Sequence, residues 1–119
     1  MRGLTLLITT GDRERFRAAL TLACSQAALG GRTRLYCHEG AVAVLLPGDD
    51  PEDAALRATG LPTRAALIEM AAAEGVALIA CQTGLALAGI AQSALPEGTE
   101  TGGMISLLAD LGDDRLVTF

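Results

Sequence analysis

A chain of 119 residues can close one hydrophobic core without disulfides or a metal, so one site is to be sought and not several. Its residues are 50% hydrophobic but only 3% aromatic, which leaves the core to Ala, Leu, Val and Ile, with Phe16, Tyr36 and Phe119 as the only rings. A net charge of -5 and the lack of any lysine argue against a protein that grips phosphate backbones, because that affinity comes from clustered cations.

Residues 4–9 form a short Leu- and Ile-rich run that stops at Thr9-Thr10-Gly11-Asp12, the pattern of a strand buried on both faces and not of a secretory leader. Asp12 can cap a helix along which Phe16, Leu20, Cys24 and Ala27 or Ala28 recur at helical spacing. Arg13, Arg15 and Arg17 on this helix alternate with Asp12 and Glu14, a mixed solvated face. Gly30-Gly31 ends it. Residues 33–38 predict a second strand with Leu35 and Cys37 on one face and Tyr36 and His38 on the other. Its lower hydrophobicity predicts a place near the edge of the sheet. Gly40–Leu46 is apolar and fits a turn of helix, followed by a loop over residues 47–51. Asp50 then offers a cap for a helix whose first turn holds Pro51, Glu52 and Asp53.

Strong helix formers from Thr63 to Glu74, stopped by Gly75, predict the next helix, and Val76–Ala80 the third strand. Residues 83–95 read as a helix with a possible break at Gly89, residues 96–98 as a turn, and Thr101–Leu111 as a last helix ended by Gly112. Arg115–Phe119 is the final strand. This alternation predicts an α/β fold with a mainly parallel sheet, covered on both faces and joined by right-handed crossovers. No linker or repeat divides residues 1–119, so a single domain is expected. No apolar stretch approaches the roughly 18 to 20 residues of a membrane span. Three cysteines without paired spacing point to reduced thiols, and with them to a cytoplasmic protein.

In an open parallel sheet, ligands gather beyond the carboxyl ends of the strands, where backbone N–H groups at helix starts point outward. Cys81 follows the third strand directly and precedes a helix beginning near Thr83 or Gly84, where amide dipoles favour thiolate over thiol. The alternative is a small buried hydrophobe at a strand end. Cys24 lies on an apolar helix stripe and reads as an inert structural thiol. Cys37 also ends a strand and is followed by His38, a possible proton acceptor, which makes these two secondary candidates. The cysteines and the single histidine show no metal-ligand spacing, and Gly30-Gly31 and Gly102-Gly103 match no nucleotide fingerprint, so neither metal nor cofactor is expected.

The order of pieces adds to this: strand Leu4–Thr9, a helix ending Ala-Leu-Gly-Gly, a second strand, Gly60-Leu-Pro, a helix, Gly75-Val, and a strand closing in Ala80-Cys81-Gln82-Thr83. With Leu87-Ala-Gly89-Ile90, Gly98, Gly102-Gly103 and the ending Asp114–Phe119, the chain resembles the DsrE/DsrF-like family of small sulfur-relay and peroxiredoxin-like proteins. The resemblance implies a three-layer α/β/α sandwich with a mainly parallel five-stranded sheet, oligomers, and a functional cysteine after the third strand, the position of Cys81. It implies a persulfide carrier or sulfurtransferase-like relay protein that exchanges sulfur with donor and acceptor proteins. A peroxide-reducing or redox-sensing thiol and a non-catalytic oligomeric ligand-binding module are the alternatives. A homo-oligomer is also expected from the Ala- and Leu-rich helix surface, with residues 40–46 and 85–95 as contact surfaces.

Overall fold

Five short segments with two-residue side-chain alternation pair side by side, all parallel, in the order β4-β3-β2-β1-β5. They are β1 (Leu4–Ile8), β2 (Thr33–Cys37), β3 (Ala77–Cys81), β4 (Glu100–Gly102) and β5 (Arg115–Thr118) in a computed structural model that describes residues 1–119. Parallel neighbours need crossover connections, which the helices supply: α1 (Arg13–Ala28), α2 (Asp53–Ala58), α3 (Arg64–Ala73), α4 (Gln82–Ala88) and α5 (Met104–Ala109). From β1 to β4 the chain steps across the sheet in one direction, and then returns past three strands to place β5 beside β1. Right-handed crossovers therefore put α1 and α3 on one face and α5 on the other. No helix is long and apolar enough to cross a membrane.

The two faces differ in chemistry. One carries Leu4, Leu6, Ile8, Leu35, Cys37, Leu78 and Ala80, all buried beneath Phe16, Ala19, Leu20 and Ala23 of α1 and Leu67, Ile68 and Ala71 of α3. The small residues of α1 let it approach the sheet closely, as a core with few rings requires. The other face holds Thr5, Arg34, Tyr36, Ile79 and Cys81, with α5 as its cover.

That polar face corrects one expectation. β2 is not near an edge; it is the central strand, and all five of its residues are buried. Its polarity is absorbed internally: Arg34 donates to Thr5 Oγ1 through Nε at 3.1 Å and Nη2 at 2.9 Å, and to the Leu107 carbonyl at 3.2 Å. Thr5 Oγ1 in turn donates to Asp114 at 2.9 Å. A buried polar group costs little once paired, so a central strand can read as an edge strand.

Asp12 caps α1 as expected, accepting from the Arg15 N–H at 3.0 Å. Arg13 and Arg17 both turn to Glu52, in line with a mixed ionic face. Asp50 does not cap a helix. Its carboxylate holds the buried Arg64 at 2.8 Å, the α2 cap position falls at Glu52, and Asp53 accepts from the Asp50 N–H. The apolar segment 40–46 is not an outer contact surface: Ala41, Val42, Val44 and Leu45 belong to the chain's own core, in a 3-10 helix over Glu39–Leu45. The helix predicted over residues 83–95 stops at Ala88, with Gly89 in the left-handed region at φ 68°. The helix predicted from Thr101 begins at Met104, because residues 100–102 form the edge strand β4.

Candidate functional site

Cys81 is the last residue of β3 and the N-terminal cap of α4. Its backbone is extended while the chain behind it turns helical, so the first N–H groups of α4 have no carbonyl partner and point back at its side chain. The Gly84 N–H donates to Sγ at 3.4 Å, and the Thr83 hydroxyl lies 3.3 Å from the same atom. The Tyr36 hydroxyl on the neighbouring strand and the Glu39 N–H on its extension add to the pull toward the anion, without closing hydrogen bonds as Gly84 and Thr83 do. Burial alone would raise the Cys81 thiol, but the donors on Thr83, Glu39, Tyr36 and Gly84 outweigh it and bring the thiol down to about 6. At neutral pH the sulfur is then mostly thiolate, although Cys81 is only 4% exposed.

Two backbone features hold this arrangement. Glu39 is the one non-glycine residue with positive φ, 46°, a conformation that costs a side-chain-bearing residue energy and that the surroundings must enforce. Gly84 packs directly on it. A Cβ at position 84 would lie 2.5 Å from the Glu39 carbonyl oxygen and 2.8 Å from its Cα, so only glycine lets the start of α4 sit against Glu39. The two N–H groups that face Cys81 are thereby fixed relative to each other.

Tyr36 is 1% exposed, and burial together with the nearby Cys81 holds the phenol well above its ordinary range. It therefore stays a donor wherever Cys81 is a thiolate. His38 lies on the same face, its ring 6.2 Å from that of Tyr36 with planes 28° apart. Its Nε2 is 3.4 Å from Glu39 Oε1, its Nδ1 is buried without a partner, and it makes no hydrogen bond to Cys81.

Cys37 is on the opposite side. The register pairs it with Ala80, and strand alternation turns it away from Tyr36, His38 and Cys81 into the apolar core. There, burial pushes its thiol far up. Cys37 therefore does not have His38 as a proton acceptor, and it does not face Cys81. Cys24 is buried on α1, its sulfur 3.9 Å from the Leu67 carbonyl and its thiol raised by burial and then by the charge of Glu74. No group of three or more His, Cys, Asp or Glu side chains converges as a bound metal would need. Tyr36, Glu39, Thr83 and Gly84 were not among the residues singled out from sequence. Thr83 and Gly84 could have been, since they follow Cys81 by two and three positions at a helix start.

No protein-family model and no curated protein matches the chain. Among solved structures, it superimposes on the ychN protein from E. coli with a TM-score of 0.79 at 23% identity, over 100% of both chains. It also superimposes on MTH1491 from Methanobacterium thermoautotrophicum, described as a protein of unknown function, with a TM-score of 0.70 at 15% identity, again over 100% of both chains. The chain shares their fold. The parallel five-stranded α/β architecture expected from the sequence is the one these proteins have, end to end. At such identities the likeness is one of architecture, and the site has to be argued from its own residues.

Proposed function

We propose that the protein carries sulfane sulfur as a persulfide on Cys81. The observation that carries this reading is the convergence of helix-start and hydroxyl donors on Sγ, which favours the nucleophilic thiolate at neutral pH. The Cys81 thiolate attacks the outer sulfur of a donor persulfide, the donor's S–S bond breaks, and the donor leaves as a thiolate. An acceptor thiolate then attacks the outer sulfur on Cys81 and regenerates the Cys81 thiolate. No net oxidation or reduction occurs, and the donors around Sγ stabilise the same anion before loading and after release. The resemblance to DsrE/DsrF-like proteins, and a fold of the kind that resemblance implies, support a sulfur-relay role.

A peroxide-reducing thiol would use the same thiolate. It is disfavoured as a self-contained cycle because neither Cys37 nor Cys24 faces Cys81 to resolve an oxidised sulfur. Mass spectrometry of the protein after treatment with a low-molecular-weight persulfide, in parallel with peroxide, tests the choice. One added sulfur on the Cys81 peptide supports the carrier. Oxygen adducts alone point to peroxide chemistry, and no adduct points to a ligand-binding module.

The reading includes a homo-oligomer. Leu87, Ile105, Leu108 and Leu116 are at least 44% exposed and offer apolar side chains for such a contact. A monomer in sedimentation at micromolar concentration would contradict this part.

A further inference from the structure

The polar face of the sheet holds a cavity of about 480 Å³ between the strands and α5, within the size range of small-molecule sites. Tyr36 and Ile79, on the same sheet face as Cys81, line it, and one wall is Gly102, which pairs with Cys81 in the β3–β4 register and carries no side chain; Cys81 itself lies just beyond the lining, 4% exposed. Arg32 and Arg34 line one part, and Glu100 and Asp110 also line it. Arg34 is 8% exposed and held in place by Thr5 and the Leu107 carbonyl through Nε and Nη2, which leaves Nη1 with no hydrogen bond in the chain. Arg32 is fixed by Nη2 to the Asp110 carbonyl at 3.0 Å and likewise has Nη1 free. Asp114, buried beneath them, offsets part of their charge, 3.7 Å from Arg34 Nε and 3.9 Å from Arg32 Nε.

Two anchored guanidinium groups with unused N–H donors suit carboxylates, because a charge-assisted fork bonds them in fixed geometry. The carboxylates of Glu100 and Asp110, which make no side-chain ion pair, suit an ammonium group. A wholly anionic ligand would meet both acids, and a wholly cationic one both arginines. The lining therefore matches a molecule carrying both signs. We propose that this cavity seats a low-molecular-weight zwitterionic thiol of peptide size in its persulfide form, as the donor that loads Cys81. This rests on the persulfide reading of Cys81 above. Seated with its carboxylates on Arg32 and Arg34, the donor extends its sulfur past the Tyr36 hydroxyl and along Gly102 to Cys81. In the step, the Cys81 thiolate takes the outer sulfur of the neutral persulfide with its proton, the donor's S–S bond breaks, and the bonding pair leaves on the donor thiolate.

The test separates seating from transfer. Calorimetry with S-methylglutathione, which binds without reacting, measures the cavity alone, with S-methylcysteine as the smaller comparison. Saturable binding of the first, weakened about two- to fivefold in Arg32→Gln, is the expected result, since an ion pair to a half-exposed guanidinium is worth up to about 1 kcal/mol. Arg32 is half-exposed, so this variant keeps the fold where Arg34→Gln could lose it. Loading of Cys81 from glutathione persulfide should then saturate and weaken in parallel in Arg32→Gln, with inorganic polysulfide, on the wild-type protein, as the donor that carries no carboxylate to seat. No binding of S-methylglutathione, or equal binding by wild type and Arg32→Gln, overturns the cavity assignment even if polysulfide loads Cys81. Binding as expected with no sulfur gained on Cys81 from either donor overturns the transfer step and the carrier reading while leaving the cavity occupied.

Discussion

Cys37 and Cys81 end adjacent strands of one sheet, one residue apart in register, and their thiols are driven in opposite directions. Cys37 faces the layer packed by α1 and α3, where nothing donates to its sulfur and burial opposes ionisation. Cys81 faces the polar side, where burial is also present but is overcome by four donors from α4, β2 and the chain just beyond β2. Burial alone does not decide whether a thiol is reactive; strand parity does, by choosing the face and with it the partners. The apolar face supplies stability, and the polar face supplies the site.

Substitutions on each face should separate the two. The largest effect is expected from Leu6→Ala on the apolar face, a fully buried side chain whose loss should cost about 2–5 kcal/mol in urea unfolding. The ionisation of Cys81 should stay where it is in that variant. Gly84→Ala should move both quantities. The added methyl meets the Glu39 backbone, so melting should show a loss of about 1–3 kcal/mol. The thiol midpoint in an alkylation pH profile should rise as the Gly84 and Glu39 N–H groups separate from Sγ. Thr83→Val acts through the thiol: the side chain is exposed, so stability should change by less than about 0.5 kcal/mol below about pH 6, with a loss growing to about 1.4 kcal/mol at high pH where Cys81 is ionised. Removing its bond to the thiolate should lift the midpoint by about one pH unit. Asp12→Ala is the smallest change, about 1 kcal/mol of stability through the lost α1 cap with no effect on the thiol.

The lowered thiol also links stability to pH. Its folded value of about 6 lies below the free value of about 8.5, so the contribution of Cys81 is fully present above about pH 8.5. It declines as the pH falls and is gone below about pH 6. A Cys81→Ala variant should lack this part of the pH dependence.

The parallel α/β architecture and the position of Cys81 were legible because both rest on local patterns: apolar runs alternating with helix formers, and a cysteine between a strand and a helix start. What was not legible depended on neighbours in space. Thr33 and Arg34 made β2 look like an edge because the partners that satisfy Arg34 come from β1, α5 and the loop before β5. β4 is three residues long with an exposed Glu-Thr start, too short to show a strand period against the helix that follows. Asp50 resembled a cap because nothing local reveals that Arg64 draws its carboxylate away. The donors from Tyr36 and Glu39 required the knowledge that β2 lies beside β3, and the separation of Cys37 from Cys81 required the register between them.

The central claim is that Cys81 alone among the cysteines is a thiolate at neutral pH. It is tested most directly by the rate of iodoacetamide alkylation of each cysteine in the native protein as a function of pH, read by peptide mapping. The account predicts that Cys81 labels first, with its rate half-maximal near pH 6, while Cys24 and Cys37 stay unmodified until the protein unfolds. A Cys81 midpoint at the ordinary thiol value of about 8.5, or labelling of Cys24 or Cys37 at least as fast as Cys81, would contradict it.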